Sequence, residues 1–108
     1  MPRRNKYGAI KTKVDGIVFD SRAEARYYQQ LKVLEKAGKI SGLVCHPRYP
    51  IVYQKEKVCV VVLDFEYTDD DGEPHFVDVK GVYTAISRLK HNLFGAFYGQ
   101  DVEIIKMK

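Results

Sequence analysis

The chain has 108 residues, 45% of them hydrophobic and 30% charged, which suits one compact domain with a modest core. No apolar run reaches the about 18 residues of a membrane-spanning helix, and the basic start from Met1 to Tyr7 lacks the apolar segment of a secretory signal, so a cytoplasmic protein is expected. A formal charge of +4 permits contact with phosphate backbones without requiring it, and two cysteines are too few for a disulfide framework.

Residues 1–8 are expected to be mobile. Residues 11–20 then read as two short β-prone runs about Asp15-Gly16, a dipeptide that favours a tight hairpin turn. Lys11 and Lys13 alternate with Thr12 and Val14 and so share one face of that hairpin. Ser21 opens a helix running to about Ala37 and stopped by Gly38. Tyr27, Leu31 and Leu34 centre its apolar stripe, with Ala23 and Tyr28 at the flanks. Glu24 has the spacing from Ser21 of a capping box, yet it falls within the apolar arc, where a solvated capping glutamate need not be.

Beyond Gly42, Pro47 and Pro50 mark an extended edge or bulged piece leading to a strand at 51–54. Residues 58–67 are nearly all apolar up to Asp64 and read as a central strand, with Cys59 as a small core residue. The run 69–74 is a turn, and 75–80 returns as the antiparallel partner. A second helix is expected over 84–98, with Ile86, Leu89, Leu93, Phe94 and Phe97 at helical spacing, and a last strand over 102–107. The order is β-hairpin, α, β, β, β, α, β: an α+β fold with a mixed central sheet flanked by two helices.

The chemistry gathers on the second hairpin. Asp78 and Lys80 project to one face of their strand, and Asp64, fourteen positions before Asp78, comes near-opposite across the ladder if 69–72 makes the turn. Two carboxylates meeting there repel unless one is protonated or a cation lies between them. Mg²⁺ suits the arrangement, with Mn²⁺ as a substitute, because it takes oxygen ligands and needs few carboxylates; the Val79 backbone carbonyl could add another oxygen. An isolated Asp-x-Lys is ordinarily a solvated strand end. Here it sits among apolar residues (Val60 to Leu63, Phe76, Val77, Val79), with Glu24 on the inward stripe of the preceding helix. Cys45-His46 has no second Cys/His pair to complete a zinc site, and His46 and His75 read as structural.

A helix bearing Glu24, then Leu63-Asp64-Phe65, then Asp78-Val79-Lys80-Gly81, followed by a helix and a strand, resembles the PD-(D/E)XK nuclease superfamily. More closely, residues 14–41, 62–69, 77–81 and 88–94 look like a small phage and prophage family often likened to Holliday-junction resolvases. The likeness runs from about Asn5 to Ile105. It departs from the superfamily pattern in having Leu63 before the first acid and Asp78 rather than Glu as the second, both variations that the superfamily accommodates.

The resemblance implies a restriction-endonuclease-like core and metal-dependent hydrolysis of DNA phosphodiesters, in branched or structured DNA by analogy. Asp64, Asp78 and the Val79 carbonyl would bind the divalent metal, Glu24 would complete its shell, and Lys80 would position or polarise the attacking water. Glu66 could be an outer ligand. Lys11, Lys13, Arg22, Arg26, Arg88 and Lys90 are candidate phosphate contacts, and Tyr83 could stack on a base, although packing is favoured for it. Cutting two strands in concert would need a homodimer. The alternative is a module of the same fold that binds nucleic acid or protein without cleaving.

Overall fold

The computed structural model describes residues 10–106; the segment expected to be mobile and the end of the last expected strand lie outside the described residues. Thr12–Val14 (β1) and Ile17–Phe19 (β2) pair antiparallel about Asp15 and Gly16, whose φ values of 54° and 78° are those a tight turn demands. Arg22–Lys36 (α1) follows. The Ser21 hydroxyl caps it by accepting the Glu24 N–H at 3.1 Å, and Gly38, at φ 77°, lets the chain leave the far end. The Tyr28 hydroxyl donates to Asp15 at 2.9 Å and ties the helix back to the first hairpin.

The middle of the chain differs from the expected strands. Ile40–Cys45 (β3), Arg48–Tyr53 (β4), Glu56–Val62 (β5) and Phe65–Asp69 (β6) form one long antiparallel ribbon bent at its centre. β4 pairs with β5 and β3 with β6. At the bend the His46 N–H reaches the Asp64 carbonyl at 2.9 Å and the Leu63 N–H reaches the Pro47 carbonyl at 3.1 Å. The strand expected over 58–67 is therefore two strands in two sheets. Pro47 has no N–H to give the ladder, and His46 adopts a left-handed φ of 55°, so one arm of the ribbon turns away from the other there. The ribbon closes through Gln54 and Lys55, both at positive φ (49° and 68°), as a two-residue hairpin turn requires.

Pro74–Lys80 (β7), Ala85–Tyr98 (α2) and Val102–Lys106 (β8) complete the chain. β7 and β8 are parallel, and α2 is the crossover that parallel strands need. The main sheet runs β3-β6-β7-β8 and is mixed, so the α+β architecture with two helices is as expected. Two cores form. Phe19, Ala25, Tyr28, Leu31, Ile40, Phe65 and Val77 pack under α1, whereas Ile51, Val61, Leu63 and Phe94 pack under α2 with Tyr49, Cys59 and Phe76 at their margin.

Both helices are rotated from their apolar stripes. On α1 the buried residues are Glu24, Ala25, Tyr28 and Leu31, while Leu34, about 80° from Glu24 on the wheel, is 41% exposed. On α2 Phe94 is fully buried, but Ile86, Leu89 and Phe97 face outward. In each case a polar side chain, Glu24 or His91, occupies part of the arc that an apolar count assigns to hydrophobic residues.

A histidine clamp joins β6, β7 and β8. His75 places Nε2 2.8 Å from Asp69 Oδ2 and Nδ1 2.8 Å from Glu103 Oε1, so an imidazolium donates at both ends. The bond to Asp69, then that to Glu103, raises the His75 pKa above its usual 6.5. A raised folded-state pKa contributes stability that is complete below the unfolded value and lost as pH rises through the folded one. Thermal melts from pH 6 to pH 9 are therefore expected to show wild type a few degrees above His75→Gln at the acidic end, with the gap closing as pH rises. A gap independent of pH would show that packing, not charge, sets the effect.

Candidate active site

The site lies where the bent ribbon meets the first turn of α1 and the end of β7. Glu24 enters from α1. Its backbone N–H is spent on the Ser21 cap, and its carboxylate Oε1 lies 2.9 Å from His46 Nε2. Asp64 sits at the bend between β5 and β6. There it is opposite Asp78, as the register Phe65–Val77 requires. The Asp64 N–H donates to the Val77 carbonyl at 3.1 Å and to Asp78 Oδ1 at 2.8 Å. Asp64 Oδ2 in turn accepts the Val79 N–H at 2.7 Å. A backbone N–H thus holds one oxygen of each acid: that of Val79 on Asp64 and that of Asp64 on Asp78.

Ligand-capable atoms of Glu24, His46 and Asp64 all lie within 4.8 Å of one another. Glu24 and Asp78 are 3% and 2% exposed. Burial pushes the Asp64 carboxyl well above the usual carboxylate range, and the charges of Glu24 and Asp78 add to it. Burial likewise raises Glu24, with Asp20 and Asp78 contributing. Such a cluster favours either a shared proton or a cation. The donor set fits a divalent ion: carboxylate oxygens converge from separate elements, and Glu24 is already desolvated.

Asp78 is turned toward α2. Its Oδ2 lies 2.6 Å from His91 Nε2 and 3.7 Å from Lys80 Nζ, which shares its strand face. His91 is itself held through Nδ1, 2.8 Å from the Tyr83 hydroxyl, and the two rings stack. The Arg88 guanidinium lies over the Tyr83 ring at 5.2 Å. Tyr83 is therefore a packing residue for His91, the favoured reading of it.

Of the expected site residues, Glu24, Asp64, Asp78, Val79 and Lys80 come together. Val79 contributes its N–H to Asp64, and its carbonyl role stays an expectation. Glu66 is elsewhere: it accepts a hydrogen bond from the Tyr49 hydroxyl beside the α2 core, because the bend ends the strand face it was expected to share with Asp64. Lys11, Lys13, Arg22, Arg26 and Arg88 are exposed and Lys90 is half-buried. Lys11 pairs with Asp20 at 3.0 Å. Arg22 and Arg26 are two positions from Glu24, about 200° round the helix, and lie on the solvent side of α1.

Two site residues escaped sequence reasoning. His46, expected to be structural, is brought to Glu24 by a bend that no periodicity signals. His91 was available as a polar residue flanked by Leu89, Leu93 and Phe94, but its partner lies thirteen residues away on β7.

Residues 4–107 match the family model described as "Protein of unknown function (DUF1064)", and the chain belongs to that family. No curated protein and no solved structure matches it.

Proposed function

We propose that this DUF1064 protein is a divalent-metal-dependent nuclease of the PD-(D/E)XK kind that hydrolyses DNA phosphodiester bonds. The observation that carries the reading is the meeting of Glu24, Asp64, Asp78 and Lys80, from a helix, a strand break and an adjacent strand, with two of the acids almost fully buried. Carboxylates kept at such cost of desolvation are the pattern of a functional site rather than of a solvated strand end.

Glu24, Asp64 and Asp78 would hold the cation, Mg²⁺ or Mn²⁺, which when bound supplies Lewis-acid stabilisation and a water acidic enough to attack near neutral pH. The chain's own residues do the rest. Lys80, 27% exposed at its side chain, presents an ammonium beside Asp78 that can orient the nucleophile and offset charge gathering on the phosphoryl oxygens. His91, Tyr83 and the Asp64 N–H fix the rotamer of Asp78, so neither oxygen is free to turn away. The exposed cations Lys13, Arg22, Arg26 and Arg88 supply the sequence-independent attraction to the phosphate backbone. Branched DNA is the substrate favoured by the family likeness.

The test is a panel of four-way junction, flap, plain duplex and single strand, incubated with Mg²⁺, Mn²⁺ or chelator. Cleavage of at least one DNA in metal and of none in chelator is expected, with the junction or flap cut fastest. Retention on DNA in a shift assay, unaltered by Asp78→Ala and never followed by cleavage, would instead establish a binding module.

A further inference from the structure

The nuclease reading takes its ligands from oxygen alone, but the convergence of ligand atoms at the site includes a nitrogen. Glu24, His46 and Asp64 lie within 4.8 Å of one another, and two ligands on a single ion at about 2.1 Å are at most about 4.2 Å apart. Small rotations of the side chains therefore suffice to close the set. Three further features point the imidazole there. His46 adopts a left-handed backbone conformation, φ 55°, uncommon for a residue with a side chain, at the single point where the ribbon bends. Its N–H is fixed to the Asp64 carbonyl, so the bend that positions one ligand positions the other. Its ring packs against the fully buried Phe19 at 5.6 Å between centroids, while the side chain keeps 34% of its surface exposed. That leaves a path for an ion from solvent to the Glu24 edge.

We propose that His46 is a nitrogen ligand of the cation held by Glu24 and Asp64, and that this makes the centre selective for a borderline first-row transition-metal dication over Mg²⁺. The inference rests on the nuclease reading for the existence of the cation, but not for the identity of its ligands. Imidazole adds little affinity for Mg²⁺, a hard ion that holds its waters, more for Mn²⁺, and most for Co²⁺ and later ions of the series. An all-carboxylate centre has no such device. The left-handed backbone also explains how the position is held: the bend brings the residue beside Glu24, and the ring lies 2.9 Å from its Oε1.

The experiment measures binding, not cleavage. Calorimetry with MgCl₂, MnCl₂ and CoCl₂ on the full chain is expected to give affinities rising in that order. His46→Asn, chosen because Asn tolerates positive φ, is expected to lose more than about 10-fold of Mn²⁺ and Co²⁺ affinity, the lower end of what losing even a supporting partner costs a metal site. Its Mg²⁺ affinity is expected to change by less than about 3-fold, since carboxylates and waters suffice for that ion. Pulsed electron paramagnetic resonance of bound Mn²⁺ provides a second readout that needs no variant: wild type is expected to show a histidine ¹⁴N coupling. The coupling should persist in His91→Gln, which removes the other imidazole near the acids, and vanish in His46→Asn. Mn²⁺ bound without any nitrogen coupling in wild type, or with a coupling that survives His46→Asn, would overturn the proposal and leave an all-oxygen nuclease centre standing. Failure of all three ions to bind would overturn the nuclease reading as well.

Discussion

Lys80→Ala is expected to lower the turnover of DNA hydrolysis by about 10²–10³-fold, the loss typical when one preorganised charge is withdrawn from a developing oxyanion. Cation affinity and fold should be left nearly intact. Strand alternation keeps Lys80 on the Asp78 face of β7, and its ammonium lies 3.7 Å from Asp78 Oδ2, too far for a tight hydrogen-bonded pair and well placed to be drawn toward a phosphate. Asp78 keeps its bonds to His91 and to the Asp64 N–H when Lys80 is removed, so the variant should melt close to wild type. Single-turnover cleavage at saturating DNA, beside Mn²⁺ calorimetry on the same preparation, separates the two effects. Lys80→Arg is expected to restore only part of the rate, because the planar guanidinium is a fork rather than a compact point charge. Cleavage equal to wild type would remove Lys80 from the chemistry. A parallel fall in Mn²⁺ affinity would recast it as a residue that shapes the carboxylate cluster.

Local signals in the sequence were strong wherever one element decides its own limits. Asp15-Gly16 fixed the first hairpin, Ser21 and Gly38 bounded α1, and 84–98 differs from α2 only by its cap, Thr84. The pairing of Asp64 with Asp78 followed from counting across a turn. The bend of the ribbon was hidden for a definite reason. Val61, Leu63 and Phe65 are all buried, so period-two alternation passes through the break without a slip, and nothing in it marks a change of sheet. The β4–β5 turn was equally silent: Gln54 and Lys55 take conformations that glycine or asparagine would have advertised. Both helix rotations have one cause. An apolar stripe locates the buried face only if that face is apolar, and this molecule turns Glu24 from α1 and His91 from α2 toward the acids. The misfit between stripe and buried arc is thus a signature of the site itself, since it is largest where polar groups displace hydrophobic ones.

Asp64→Asn is expected to invert the stability order of the two proteins according to whether cation is present. The substitution is nearly isosteric, and an amide oxygen can still accept the Val79 N–H that Asp64 Oδ2 accepts at 2.7 Å. It removes a carboxyl from a half-buried position that Glu24 and Asp78 both crowd. Without cation, relief of about 1 kcal/mol would raise the melting temperature by about 4–8 °C for a domain near this size. The sign with pH follows from the raised pKa values. A carboxyl that keeps its proton in the fold beyond its ordinary range costs nothing at acid pH and costs most once pH exceeds its folded value. The gap should therefore widen as pH rises to about 8, through the raised ranges of Glu24 and Asp64. With cation at about 100 times its dissociation constant, wild type gains about 2.7 kcal/mol by mass action and the variant, short of a ligand, gains little. The two melting temperatures should then cross along a Mn²⁺ titration at fixed pH. A solvated pair of strand-end acids gives no crossing, because neither protein would bind the ion. Parallel upward shifts in both would place the cation on other residues. A crossing would tie the instability of the cation-free cluster to the purpose it serves: the fold would tolerate buried charge at Glu24 and Asp78 beside half-buried Asp64 because an ion completes them.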